Sequence, residues 1–382
     1  MTADKQAAGT RLALADATRI VVKIGSSLLV DDDSGRLNQV WLESLADEIV
    51  RLRARGQQVL LVSSGAIALG RRYLGLGPDQ RRLEDHQAAA AAGQVLLAHA
   101  YQELLGKRDI RIAQVLLTLD DTENRRRYLN ARSTLETLLR LGVVPVINEN
   151  DTVATNEIRY GDNDRLGARV AELVSADCLT LLSDVDGLFD ADPARDPAAR
   201  LIEEVREITP RIEALAGASS TAYGSGGMIT KIKAARIAVA AGCATLIANG
   251  RRLQPIKAVE DGGPATWFIA HETPRAARKR WIGGTLQTSG RLVVDAGAAR
   301  ALANGGSLLP VGVVSVDGTF KRGDAIAVTD GGGREIARGL AAYSSRDARK
   351  ICGRRSEEIS QLLGFSGRDE IIHRDDLVLL NG

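Results

Sequence analysis

Two kinds of apolar pattern alternate along most of the chain. Residues 19–30 (RIVVKIGSSLLV) predict a strand followed by a Gly-Ser turn, and short apolar runs at 58–62, 110–117, 143–147, 178–182 and 244–248 predict further strands. Between them lie longer stretches with helical spacing. In residues 38–55, Leu42, Leu45, Ile49 and Leu52 fall on one face, Asn38 suits the N-cap, and Gly56 suits the stop. Residues 83–105, rich in alanine, predict helix, as do 125–141, 165–174 and 228–241. Strands that alternate with helices, several of them apolar throughout, predict an α/β domain whose parallel sheet is covered on both faces.

The texture changes near residue 270. Residues 271–281 (HETPRAARKRW) are polar and basic, a linker or an outer helix. Beyond Gly290 come RLVVD, VGVVSVDGTF, GDAIAVTD and REIARGLAAY, short strand-like runs separated by turn signals. The expected domains are therefore residues 1–268, a linker at 269–288, and a small β-rich module at 289–382.

One block fits neither pattern. Residues 148–164, NENDTVATNEIRYGDND, follow a predicted strand, and seven of the seventeen are Asp or Asn. Such groups are costly to bury unpaired, and the carboxyl ends of parallel strands are where α/β proteins hold ligands. The block reads as the floor of an active site.

Three other clusters follow predicted strands or lead into helices. Lys23 stands beside the Gly25-Ser26-Ser27 turn, and Ser63-Ser64-Gly65-Ala66 closes another strand. Tyr223 to Lys231 (YGSGGMITK) is a glycine-rich loop running into a helix. Exposed N–H groups and a lysine are suited to phosphate at each place. Taken singly, each also has a plainer reading as a surface lysine, a small polar turn or a flexible loop. Neither GxxxxGK[ST] nor a first-strand GxGxxG is present.

Composition removes other chemistries. The chain has 50 basic and 48 acidic residues, which argues against a protein that coats nucleic acid. Cys178, Cys243 and Cys352 show no paired spacing, and two lie in strand-like runs, so they read as core thiols in a reducing cytoplasm. No stretch has the length and apolarity of a membrane span or signal peptide. The four histidines, His86, His99, His271 and His373, lie outside the polar clusters, so a histidine-dependent acid–base triad is not expected. A reaction that removes no proton fits better. Attack of an already ionised carboxylate on a phosphate is one, if cations offset the repulsion between the two anions.

In this order, the clusters resemble the amino-acid kinase family. VVKIGSSLL looks like its first-strand lysine motif, and LLSDVDGLFDADP and GSGGMITKIKAARIA resemble its two nucleotide-binding segments. VSSGAIALGR and VPVINENDTVATNEIRYGDND are similar to the branch that phosphorylates glutamate. The stretch from GRLVVDAGAARAL to IARGLAAYSS looks like a PUA domain. The resemblance covers nearly all of the chain beyond the first 15 or so residues. It implies the three-layer α/β sandwich of that family with a mainly parallel sheet. The implied reaction is transfer from ATP to the side-chain carboxylate of L-glutamate, giving L-glutamyl 5-phosphate, the first step of proline synthesis.

By the same resemblance Lys23 and Lys231 hold the transferring phosphoryl group, and Asp164 orients both lysines. Ser64, Asp151 and Asn163 match glutamate-binding positions. Asp151 suits the α-ammonium, and Ser64 and Asn163 suit the carboxylates. Ser183, Asp184, Ser225, Gly226, Gly227, Met228, Ile229, Thr230 and Lys231 match the ATP-binding segments. Mg²⁺ is expected to arrive with ATP, held by phosphates and water rather than by a protein cage. The resemblance further implies proline as feedback inhibitor, hand-over to glutamyl phosphate reductase, and a homo-oligomer, dimer or tetramer, in the cytoplasm. Sister kinases acting on acetylglutamate, aspartate or a nucleoside monophosphate are the alternative, separated by the NEND…GDND block. RNA binding is the other possibility for a PUA module. The tail argues against it: residues 291–382 carry 13 basic and 12 acidic side chains, a net of +1.

Overall fold

The computed structural model describes residues 11–31, 35–77, 79–80, 82–154, 162–217, 227–284 and 287–380. The chain forms two compact units. One comprises Met1–Glu123 and Ala131–Pro274, the other Asn124–Asn130 and Arg275–Gly382. Among the described residues no helix is long and apolar enough to cross a membrane.

Among the described residues the first unit has eight strands: β1 (Arg19–Ile24), β2 (Gln58–Ser63), β3 (Ile112–Leu117), β4 (Val144–Glu149), β5 (Cys178–Ser183), β6 (Glu204–Val205), β7 (Ala244–Asn249) and β8 (Ala265–Phe268). Their order across the sheet is β3-β4-β2-β1-β5-β7-β8-β6. Every pairing is parallel except β7 with β8. Every residue of β5 is buried, which explains why it reads as continuously apolar.

Strand periodicity sorts the side chains of β1. Ile20, Val22 and Ile24 join one cluster with Trp41, Leu42 and Leu45 of the helix Gln39–Ala54 and Leu97 of the helix Leu83–Gly106. Lys23 takes the opposite face, where Gly167 of the helix Asp162–Leu173 leaves room: a methyl there would lie 3.4 Å from the lysine Cβ. The sheet is thus the middle of three layers. Strand order reverses at β1, with β2 on one side and β5 on the other, so the crevice at its carboxyl end is the topological switch point.

Several elements were not visible in the apolar pattern. Residues 26–29 form a helical turn, not a continuation of strand, because Gly25 starts a turn that sends Leu28 and Leu29 into the core. The helix Ala66–Tyr73 crosses Leu83–Gly106 so closely that a Cβ on Gly70 would lie 1.7 Å from the Ala89 carbonyl oxygen, and one on Gly93 equally close to that of Ala66. Glycine is obligatory at this crossing because backbone meets backbone.

The second unit has five strands: β9 (Gly290–Val294), β10 (Val313–Gly318), β11 (Ala325–Thr329), β12 (Glu335–Leu340) and β13 (Leu377–Leu379), ordered β10-β9-β11-β12-β13. All pairs are antiparallel except β9 with β11. Leu292, Ile326, Val328, Phe320, Tyr343 and Ile372 are buried together. The expected linker, residues 269–288, contains the helix Pro274–Gly284, whose Ile282 packs with Leu129, Ala325 and Leu340. Ile269 belongs instead to the core of the first unit.

Candidate functional site

Three segments far apart in sequence meet at one carboxylate. Asp164, third residue of the helix Asp162–Leu173, is fully buried. Its Oδ1 lies 2.7 Å from the Nζ of Lys23, near the end of β1. Its Oδ2 lies 3.5 Å from the Nζ of Lys231, in the first turn of the helix Met228–Ala240. The Thr230 hydroxyl donates to Oδ2 at 2.7 Å. Burial alone would raise the pKa of Asp164. The two ammonium groups and the hydroxyl outweigh it and hold the carboxyl below its usual range. Burial pulls the Lys231 ammonium down, opposed by Asp164 and reinforced by Lys23.

A second cluster adjoins the first through the peptide between Asn163 and Asp164. The register Ile24↔Ser63 and Val62↔Ile147 brings the ends of β1, β2 and β4 side by side, with Asn148 one residue past Ile147. Asn163 Nδ2 donates to the Ser63 carbonyl at 3.1 Å, the Ser64 hydroxyl at 2.9 Å and Asn148 Oδ1 at 3.1 Å. Gly65 takes φ +95°, the left-handed turn that lets the chain leave β2 into the next helix. Beneath it, the hydroxyls of Ser63 and Tyr101 are 3.0 Å apart.

Asp151 follows β4 and is buried, only 8% exposed. Among the described residues no hydrogen bond or ion pair reaches its carboxylate, and burial pushes its pKa up to about 6. On the other side of β1, Ser183 ends β5, and its hydroxyl donates to Asp184 Oδ1 at 3.1 Å. Asp184 acts electrostatically on Lys231. Gly227 precedes the helix that holds Met228 and Ile229, and a Cβ on Gly227 would meet nothing within 4 Å. Ser225 and Gly226 lie outside the described residues, as do residues 155–161 of the polar block.

Lys23, Asp164 and Lys231 are therefore brought into one ion cluster, and Ser64 and Asn163 into one hydrogen-bonded group. Thr230 does more than line a nucleotide loop, since its side chain meets Asp164. Gln94 was missed. It sits in an alanine-rich helix with no polar neighbour pattern to mark it, yet it accepts from Asn148 Nδ2 at 2.7 Å. Among the described residues no group of three or more His, Cys, Asp or Glu side chains is placed to hold a metal ion.

A buried carboxylate flanked by two lysines lies at the switch point of a parallel sheet, where α/β proteins hold ligands, and comparison with known proteins gives the class. Residues 18–249 match the model of the amino acid kinase family, and residues 290–363 match that of the PUA domain. The chain belongs to the amino acid kinase family. More narrowly, it is 63% identical to the protein named glutamate 5-kinase of Paramagnetospirillum magneticum, over 96% of this chain and 99% of that one. It is 59% identical to the glutamate 5-kinase of Rhodospirillum rubrum over 94% of this chain and 96% of that one. The corresponding values for Agrobacterium fabrum are 55%, 97% and 95%.

Proposed function

We propose that this chain transfers the γ-phosphoryl group of ATP to the side-chain carboxylate of L-glutamate, forming L-glutamyl 5-phosphate and ADP, the first step of proline biosynthesis in the cytoplasm. The observation that carries this reading is the Lys23–Asp164–Lys231 cluster, in which two ammonium groups share one buried carboxylate. A glutamate side chain is already ionised at neutral pH, so no base has to remove a proton. The barrier is the meeting of two anions, and preorganised cations in a site screened from water lower it most. Lys23 and Lys231 would contact the transferring group, with Asp164 and Thr230 keeping the two ammonium groups apart and aimed.

Ser64, Asp151 and Asn163 would hold the amino acid. Asp151, buried and without a partner among the described residues, suits an ammonium. Ser183, Asp184 and residues 225–231 would line the nucleotide. Mg²⁺ would arrive with the nucleotide and be held by its phosphates and water, where it neutralises phosphate charge. Residues 1–268 would suffice for catalysis, the PUA module at 289–382 being structural or regulatory. Feedback inhibition by proline, a homo-oligomeric enzyme and hand-over of the labile acyl phosphate to glutamyl phosphate reductase complete the proposal.

The test is trapping of the acyl phosphate as a hydroxamate with hydroxylamine. Product is expected only with both ATP and L-glutamate. A signal no greater than the control without glutamate would overturn the function.

A further inference from the structure

Gln94 is 8% exposed and lies midway along the helix Leu83–Gly106, among alanines and leucines. A buried amide is costly without partners, so its place in that helix calls for a reason. It begins a chain of amides: Gln94 Oε1 accepts from Asn148 Nδ2, and Asn148 Oδ1 accepts from Asn163 Nδ2. The direction of this chain is fixed at two points by backbone groups. The Glu149 N–H, which can only donate, reaches Asn148 Oδ1 at 2.9 Å. The Ser63 carbonyl, which can only accept, takes Asn163 Nδ2 at 3.1 Å. Neither Asn148 nor Asn163 can turn over without losing a backbone partner, and turning Gln94 over would set its donor against the Asn148 donor.

Two atoms are left over. Gln94 Nε2 and Asn163 Oδ1 are buried and have no hydrogen-bond partner among the described residues. The Asn163 amide hydrogens are already committed to Ser63, Ser64 and Asn148, so what Asn163 can still offer is an acceptor. The Ser64 oxygen accepts from Asn163, which leaves the hydroxyl proton free to donate. An acceptor beside a donor matches an ammonium beside a carboxylate, the zwitterionic end of an α-amino acid.

We propose that Gln94 is a positioning residue for the amino acid. By accepting from Asn148 it fixes the polarity of the Asn148–Asn163 pair, so that the site selects an α-amino acid over a dicarboxylate that lacks the α-ammonium. This inference rests on the function proposed above.

The experiment compares L-glutamate with glutarate in ATP-dependent phosphorylation by the full-length protein, its Gln94→Met variant and its Gln94→Glu variant. Gln94→Met keeps the length and removes both hydrogen-bonding groups. It is expected to raise the KM for L-glutamate about tenfold, the size of one unmet buried hydrogen bond, with kcat and the KM for ATP little changed. Preference for glutamate over glutarate should fall by the same factor. Gln94→Glu keeps an acceptor for Asn148 and should retain most of that preference. An unshifted preference in Gln94→Met overturns the role, as does an equal loss for ATP, glutamate and glutarate. If Gln94→Met does not fold, lost preference in Gln94→Glu overturns it. No turnover of L-glutamate by the unaltered protein would overturn the function itself, and this inference with it. Turnover with unchanged preference overturns only the role of Gln94.

Discussion

Each unit buries an ion cluster, and the two are finished differently. In the second unit the Arg278 guanidinium and the Asp376 carboxylate are each about 7% exposed and lie 2.5 Å apart. The fork of Arg278 is filled: one arm reaches Asp376, another the Tyr128 hydroxyl at 2.8 Å, and Nε the Asp375 carbonyl at 3.2 Å. Burial would pull the Arg278 pKa down, but Tyr128 and Asp376 more than reverse it. In the first unit two lysines face one aspartate. A lysine is a point charge on a flexible stem, while an arginine is a rigid fork. The filled fork makes a fixed joint, and the pair of ammonium groups is suited to hold an anion that arrives and leaves.

The comparison breaks most visibly if the joint is not structural. Arg278→Met takes the nearest cation from a buried carboxylate, leaving the Arg368 guanidinium at 3.9 Å, and should cost about 3–5 kcal/mol of stability, read from denaturant unfolding. A folded variant of normal stability that lost phosphoryl transfer would place Arg278 in the chemistry. Next in size is Lys231→Met, expected to lower kcat about 10²–10³-fold, as removal of one charge-stabilising donor does. Steady-state kinetics decide it, since a change confined to the KM for glutamate would mean Lys231 binds substrate and does not stabilise the transfer.

The smallest effect sharpens the contrast through Asp151, a buried charge with no partner among the described residues. Its pKa in the folded state is raised from 3.8 to about 6, so its favourable contribution is complete below about pH 4 and is lost as pH rises through 6. At neutral pH the ionised group then costs roughly 3 kcal/mol. Asp151→Asn should therefore raise the Tm of the unliganded protein at pH 7.5, with the gain vanishing near pH 4, while weakening L-glutamate. In the unaltered protein, kcat/KM for glutamate should fall below pH 6, as Asp151 gains its proton. A pH-independent difference in Tm would show that the carboxylate is not what destabilises this position.

How far the site was legible depended on the kind of signal. Lys23 and Lys231 stood out because each lies beside a glycine turn, and Asp164 as part of a polar block whose role the family resemblance supplied. A lysine within a strand, or a polar run after one, has no packing reason to be there. Thr230 was noticed only as part of a loop motif, and its bond to Asp164 depends on how two helices cross. Gln94 gave no signal, because one amide in an alanine-rich helix reads the same whether it faces solvent or an asparagine 54 residues away. The turn after β1 was expected at Gly25-Ser26-Ser27, but its helical form was not, because a short apolar run has no period long enough to separate strand from helix.

The sequence by itself determined the alternation of strands and helices, the change of texture near residue 270, and the polar block that no core can absorb. Those follow from local spacing and from the cost of burying unpaired polar groups. Only the tertiary structure decided that β1 lies between β2 and β5, and so which loops share a crevice. It alone set Lys23 and Lys231 on the same carboxylate, filled the fork of Arg278, and gave the buried amides one direction. Strand order and hydrogen-bond polarity are relations between distant residues, fixed by sheet register and by backbone groups that can only donate or only accept.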